Sequence, residues 1–377
     1  MPSTRVSDFP LQEKVRLAPF TTFSIGGVAR WFAQVTTEKE LAAACNWAEQ
    51  AQLPLFVLGG GSNVLVADGG FPGLVLHTTL CGIREQEIGS KRLFKVAAGE
   101  DWDALVTRTV AAGCAGMECL AGIPGTVGGT PVQNVGAYGQ EVSQTIAEVR
   151  CYDRHAAEFV SFPAAQCGFA YRTSRFNTVP DRGRYIVVEV VFALDPDGPP
   201  LLAYADLQRY FAPRAMPPSL PPSLVEVAEA VRSIRRAKGM VVDGGPLARH
   251  DPDTRSAGSF FKNPVVAATV YDAIFASASQ AGIVGTSPVT VPRYPAPDAE
   301  DGSRQCKLSA AWLLEQAGFT KGFALGGAAV SSKHTLALTN HSGHASAAEV
   351  LALRDVLVAG VYERFGVWLE QEPIFVG

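Results

Sequence analysis

Residues 53–70, "LPLFVLGGGSNVLVADGG", hold a short apolar run, three consecutive glycines, the polar pair Ser62 and Asn63, and a second apolar run that ends in Asp68-Gly69-Gly70. Apolar runs this short between chain-punctuating residues predict strand, tight turn, strand. Immediately upstream lie "RWFAQV" (30–35) and "TTEKELAAACNWAEQA" (36–51), where Thr37 followed three residues later by Glu40 makes a capping box. The whole reads strand, helix, strand, glycine loop, strand, a βαβ-like unit. Without Cβ atoms, Gly59, Gly60 and Gly61 let backbone N–H groups turn toward an anion and let a phosphate come close. The glycine spacing is not that of a Rossmann fingerprint, and no Gly-Lys-Ser/Thr of a Walker loop occurs. Taken alone, the stretch is equally a tight structural turn.

The same grammar returns in "FKVAAGEDWDALVTRTVAAGCAG" (94–116): a strand, Asp101 as N-cap, a helix carrying Trp102, Leu105, Val106 and Val110, and Gly113 as its stop. It runs into "LAGIPGTVGGTPVQNVGAYG" (120–139), uncharged and glycine-dense. Compact domains rarely keep so much irregular chain without a use for it. Two such loops on two αβ units suggest a dinucleotide held between lobes, although a purely structural glycine loop has the same composition. "RYIVVEVVFAL" (184–194) predicts a strand and the proline-rich "FAPRAMPPSLPPS" (211–223) a stiff connector. Ser223 and Glu226 make a second capping box, opening a helix with Leu224, Val227, Val231 and Ile234 on one face and Gly239 past its end. The last third predicts a helix around "LSAAWLLEQAG" (308–318), a strand "HTLALTN" (334–340) and a helix over 346–365, without regular alternation. That is the pattern of an α+β domain.

At 377 residues the chain exceeds what one core usually supports, and 47% hydrophobic against 18% charged residues makes it globular. Lys+Arg 32 against Asp+Glu 36 leaves a net charge of -4, so no positive field draws nucleic acid or an anionic membrane. "MPSTRVSDFP" has no apolar run after its first charge, and the longest uncharged stretch, Cys119 to Gln140, is broken by six glycines and two prolines. A cytoplasmic monomer without membrane insertion is expected. Seven cysteines without a C-x-x-C pair predict reduced, mostly buried thiols, and the scattered histidines predict no metal site.

"TTFSIGGVARWF" (21–32), "LGGGSNVLV" (58–66), "GIPGTVGGTPVQNVGAYG" (122–139), "FAYRTSRF" (169–176), "AGSFFKNP" (257–264), "GGAAVS" (326–331) and "WLEQEP" (368–373) follow one another in the order seen in the UDP-N-acetylenolpyruvoylglucosamine reductase family, which the chain resembles from about Thr21 to Phe375. The resemblance implies an α+β chain with a two-lobed FAD-binding domain of the vanillyl-alcohol-oxidase (PCMH) type and a separate α+β substrate domain. Lobe 1 would span 15–73, with a strand at about 373–377 returning to it; lobe 2 would span 74–240, and the substrate domain 241–372. FAD would be held noncovalently, with Gly59, Gly60, Gly61, Ser62 and Asn63 at its pyrophosphate and Ile123, Gly128 and Gly129 at the flavin. NADPH would be the cosubstrate, and a nucleotide sugar, UDP-N-acetylglucosamine enolpyruvate, would be reduced to UDP-N-acetylmuramate for peptidoglycan synthesis.

By the same resemblance Arg172 stabilises charge on the substrate, Glu372 assists as a carboxyl whose pKa burial must raise, and Ser259 donates the proton. Tyr204, in "LLAYADL" (201–207), marks the longer class with a tyrosine loop and would close over the substrate; Lys238 would contact its phosphate and Asn263 also bind it. The plain readings are a turn serine at 259, a surface ion pair at Arg172, a rim carboxylate at Glu372 and a solvated helix end for two of Arg232, Arg235 and Arg236. Rival functions are an oxygen-using alcohol oxidase on the same scaffold and a non-catalytic nucleotide-sugar binding protein.

Overall fold

A computed structural model describes residues 4–6, 8–213, 221–242, 251–280, 291–299 and 301–377. Most of the proline connector (214–220) and part of the segment after the second capping-box helix (243–250) lie outside the described residues.

The first sheet has the order β1 (Thr4–Val6), β2 (Phe9–Arg16), β3 (Val28–Val35), β6 (Phe71–Thr78), β4 (Leu55–Leu58). β3 and β4 both run parallel to β6, which lies between them, with Val35 opposite Thr78 and Leu58 opposite His77. The crossover between β3 and β4 is helix α1 (Glu38–Gln50), started by the Thr37/Glu40 capping box and seated on the sheet through Leu41, Ala44, Cys45 and Ala48. Parallel strands end where ligands of such sheets bind, and the triple-glycine loop leaves the C-terminal end of β4 at that edge. The expected lobe boundary at 73 falls inside β6, so the sheet runs from the first strands to Thr78. Pro72 and Gly73 look like punctuation, yet Gly73 is required within the strand because a Cβ there would meet the Pro54 carbonyl.

The second sheet is antiparallel, in the order Glu158–Pro163, Ile146–Asp153, Tyr185–Pro196, Lys91–Ala97, Ile83–Ile88. Its inner face packs Phe94 and Phe192 against helix α2 (Trp102–Ala111), capped by Asp101, and helix α4 (Leu224–Ala237), opened by the Ser223/Glu226 box. Gly113 and Gly239, both at positive φ, lie just beyond the two helices as expected. Short helix α3 (Ala205–Phe211) precedes α4, with Tyr204 at its N-cap.

The third region carries helices α5 (Ala268–Gln280), α6 (Ala310–Gln316) and α7 (Ala347–Phe365) and two small antiparallel sheets. Its core also takes in Phe23, Ile25 and Leu65 from the first region. Further ties to the first region are the Asp68 carboxylate, which accepts the Ala347 and Ala348 N–H groups at 2.8 and 3.0 Å, and Asn340, which donates to the Phe23 carbonyl at 3.1 Å. The expected strand over 334–340 shortens to Leu338–Asn340, because Ser331 Oγ accepts the N–H groups of Lys333 and His334 and folds 331–337 into a turn. The chain then returns: strand Ile374–Val376 pairs in parallel with β5 (Val64–Val66), with Ile374 opposite Val64. This pairing delivers the preceding residue pair, Glu372 and Pro373, to the glycine-loop edge of the first sheet.

Candidate functional site

One cavity of about 460 Å³ lies among the three regions, within the size range of small-molecule sites. Its first wall is the loop after β4. A Cβ on Gly60 would stand 2.6 Å from Gly125 Cα, one on Gly59 2.6 Å from Thr126 Oγ1, and one on Gly125 2.8 Å from Ser62 Oγ. The two glycine-rich loops are therefore pressed against each other, and glycine is needed there for the protein's own packing. Both readings of the stretch hold together, because the N–H groups of Gly60, Gly61, Ser62 and Asn63 donate to no protein acceptor among the described residues. They remain available to an anion.

The second loop is held by the start of α2. Trp102 donates its N–H to the Gly125 carbonyl at 3.1 Å, and Asp103 accepts the Gly122 N–H at 2.7 Å while bound by the fork of Arg232. Ile123 and Gly129 line the cavity, and a Cβ on Gly129 would meet open space. Gly128 differs from the expectation. It sits behind the wall, its N–H given to the Ala98 carbonyl at 2.8 Å, and a Cβ would fall 2.6 Å from Ala98 Cβ. Its glycine is a packing requirement against the second sheet.

Arg172, in a turn at φ 56, lies against the end of the second loop. One of its NH2 groups donates to the Gly136 carbonyl at 2.9 Å. Nε stands 2.9 Å from Glu372 Oε1, but its N–H points off that line, so this buried nitrogen has no directed acceptor. With side chains 20% and 15% exposed inside the cavity, the pair is not a surface ion pair. Burial raises the Glu372 carboxyl above its ordinary 4.5, against the opposing pull of Arg172 and then Lys262. Glu370 instead points outward, paired with Lys262 at 2.6 Å. Because the folded state holds the Glu372 proton more tightly than the unfolded chain, its stabilising contribution is full below pH 4.5 and is lost as pH rises through the folded value. Glu372→Gln, permanently neutral, should therefore gain thermal stability relative to the parent as pH increases from 4.5 to 8. Melting curves across that range check it, and a pH-independent difference would show a carboxylate already ionised in the fold.

Ser259 sits between Gly258, at φ 72, and a backbone clamp. Phe260 donates its N–H to the Leu336 carbonyl at 2.7 Å and accepts the Glu372 N–H at 2.8 Å, while Phe261 bridges Gln371. Both phenylalanine rings point away from the cavity into the core of the third region, 0% and 1% exposed. The Ser259 hydroxyl lines the cavity and bonds to no protein group among the described residues. A clamp that anchors the backbone of the two following residues and leaves the Ser259 hydroxyl unused is more than a turn requires.

The other expected residues line the same space with partial commitments. Lys238, ending α4, binds Asp206 at 2.8 Å. Tyr204 packs edge-on to Tyr138 at 5.3 Å. Asn263 uses Oδ1 to accept the Ala310 N–H at the start of α6, leaving its NH2 group to the cavity.

Two cavity residues were not anticipated. Arg235 is buried, not a solvated helix end, and donates to the carbonyls of Gly122 and Met240; burial lowers its pKa. It occupies the next turn of the stripe Leu224, Val227, Val231, so its position on the apolar face was the available signal. Arg232 is bound to Asp103 and Glu229 with its side chain 11% exposed, which leaves Arg236 as the exposed member of the three. His334, from the turn after Ser331, also lines the cavity, and no sequence pattern marked it.

The arrangement has free backbone donors, an uncharged glycine wall, and an orphaned buried guanidinium nitrogen beside a carboxyl whose pKa burial raises. These fit a dinucleotide carrying a flat ring, and the Arg172 end offers a buried cation.

Comparison with known proteins bears on this site. The family model described as "UDP-N-acetylenolpyruvoylglucosamine reductase, C-terminal domain" matches residues 250–376, and the "FAD binding domain" model matches 29–158. The UDP-N-acetylenolpyruvoylglucosamine reductase of Streptomyces coelicolor is 46% identical over 372 residues, covering 98% of this chain and 91% of that protein. The enzyme of the same name from Thermobifida fusca is 45% identical over 368 residues, covering 96% and 97%. Among solved structures, UDP-N-acetylenolpyruvylglucosamine reductase from Thermus caldophilus matches with TM-score 0.62 and 25% identity over 97% of this chain and all of that one.

Proposed function

The chain belongs to the UDP-N-acetylenolpyruvoylglucosamine reductase family, and from that premise we propose how its cavity works as the active site. The protein is an FAD-dependent oxidoreductase that uses NADPH to reduce the enolpyruvyl group of UDP-N-acetylglucosamine enolpyruvate, giving UDP-N-acetylmuramate for peptidoglycan synthesis. FAD supplies, when bound, the hydride that passes from NADPH to the enolpyruvyl methylene carbon.

The residues of the chain account for the rest. The free N–H groups of Gly60, Gly61, Ser62 and Asn63 hold the cofactor's pyrophosphate, and Ile123 with Gly129 leave room for its ring. Negative charge then develops on the carbon next to the substrate carboxylate. Arg172 meets that charge with a planar, permanently protonated fork held at one corner by the Gly136 carbonyl. Burial favours the neutral form of Glu372, which gives a hydrogen bond where a carboxylate would repel. Ser259 gives to the carbon the proton of a hydroxyl that no protein group among the described residues engages. Lys238, Tyr204 and the Asn263 NH2 group bind the nucleotide-sugar part.

The observation that carries this reading is the gathering of Arg172, Ser259 and Glu372 round one cavity with both glycine loops, which binding alone would not need. A cytoplasmic monomer is the setting adopted here; among the described residues no helix is long and apolar enough to cross a membrane. The test is anaerobic. NADPH should bleach the bound flavin, and the enolpyruvyl sugar nucleotide should restore its absorbance and emerge two hydrogens heavier by mass spectrometry. Reoxidation by oxygen with no response to the sugar nucleotide would make the protein an oxidase instead.

A further inference from the structure

His334 has no part in the chemistry just described, yet its place in the cavity is built. Ser331 Oγ accepts the His334 N–H at 3.1 Å, the Ala337 N–H returns to the His334 carbonyl at 3.0 Å, and the Leu336 carbonyl of the same turn accepts the Phe260 N–H at 2.7 Å. The turn that carries the imidazole is thus bonded to the backbone of the residue after Ser259. Neither ring nitrogen bonds to a protein group among the described residues. The charged groups that face the ring are Lys238 and Arg235 from α4, Lys321 from the turn after α6, and Asp206 from α3, the last already bound to Lys238. This is a crowd of cations with one engaged counter-ion, in the cavity that Tyr204 and Asn263 also line.

We propose that the His334 imidazole binds the diphosphate of the nucleotide sugar and takes up a proton when that dianion is seated. This inference rests on the reading of the site as a nucleotide-sugar reductase. In the ligand-free protein, burial first and then the three cations hold the imidazole down to about 4, so it is neutral at pH 7. A diphosphate brings two negative charges that offset those cations and accept hydrogen bonds from both N–H groups of an imidazolium. If the bound ring recovers the ordinary histidine value of ~6.5, affinity is about tenfold greater at pH 5.5 than at pH 7.5, because protons and ligand then bind cooperatively in that window. A sugar-linked diphosphate does not itself titrate there.

The probes are UDP-N-acetylglucosamine, which lacks the carboxylate that would engage Arg172 and Glu372, and the enolpyruvyl substrate. Each is titrated calorimetrically into the FAD-loaded enzyme at pH 5.5 to 7.5 in buffers of different ionisation enthalpy. The parent should absorb a fraction of a proton per ligand bound near pH 6 and bind about tenfold tighter at the acidic end. His334→Gln keeps a hydrogen-bonding group but cannot titrate, so it should absorb none from UDP-N-acetylglucosamine and show a flat affinity profile, with flavin absorbance unchanged. Histidine-selective NMR of the parent, free and bound, reads the same proton without any variant. Equal proton uptake in His334→Gln, or none in a parent that still turns over, overturns the role of His334 and leaves the reductase reading intact. Failure of the parent to bind either ligand or to reoxidise its flavin with the enolpyruvyl one removes both.

Discussion

Ser259→Ala leaves flavin bleaching by NADPH at the parent rate and slows reoxidation by the enolpyruvyl sugar nucleotide by ~10²–10⁴-fold, the usual worth of general acid assistance. The split follows from where the hydroxyl is and what it lacks. The first half-reaction needs no proton from the protein to the substrate, whereas the second ends with an enolate that must be protonated at carbon. A serine is a weak acid, but an enolate is a strong enough base to take the proton of a hydroxyl held against its carbon. The same geometry makes the variant a clean one. The hydroxyl bonds to no protein group among the described residues, the backbone is held through Phe260 and Phe261, and the neighbouring rings are locked in the core. Removing an unpartnered hydroxyl there should alter stability by less than about 0.5 kcal/mol. Stopped-flow absorbance of the two half-reactions reads the result, and equal slowing of both would assign Ser259 a structural role.

What the sequence disclosed about this site divides along the line between local and distant causes. Thr37 with Glu40 and Ser223 with Glu226 act on backbone groups three residues away, so the starts of α1 and α4 were legible. The family's motifs also lie in three separate stretches, and Arg172, Ser259 and Glu372 from them line one cavity. Why those stretches meet was not legible, because it depends on pairings far apart in the chain: Ile374 with Val64, the Phe260 and Glu372 backbones, and Gly60 against Gly125. The glycines show the limit most clearly. Gly60 and Gly128 are both required by contacts with other loops or strands, and only the first borders the cavity. A run of glycines in a sequence reports that something comes close and does not say whether it is ligand or protein. Arg235 and His334 were missed for a related reason. A charged residue on an apolar stripe and a histidine at a turn acquire meaning from the cavity they face, which exists only once the three regions are assembled.

Arg172→Lys should lower the rate of substrate-driven reoxidation by ~10²–10³-fold, the magnitude found when one preorganised donor to a developing oxyanion is removed. Charge is conserved in this substitution, so the loss must come from geometry. The arginine does two things at once: one NH2 donates to the Gly136 carbonyl, which fixes the plane of the fork, while Nε, buried and without a directed acceptor, stays turned toward the space beside Glu372. A lysine ammonium is a point charge on a flexible stem and cannot hold that carbonyl and present a second fixed donor. The backbone adds a control. Position 172 is at φ 56, a left-handed conformation that costs any non-glycine residue about 1 kcal/mol or more and costs arginine and lysine alike. A difference between them therefore reports the side chain. Arg172→Met goes further, because it removes the cation itself and leaves the developing charge without a positive partner at this position, so the methionine variant should be slower than the lysine variant while NADPH still bleaches its flavin. A lysine variant within about threefold of the parent rate would show that positive charge alone suffices at this position, and the fork would then be a structural brace to Gly136.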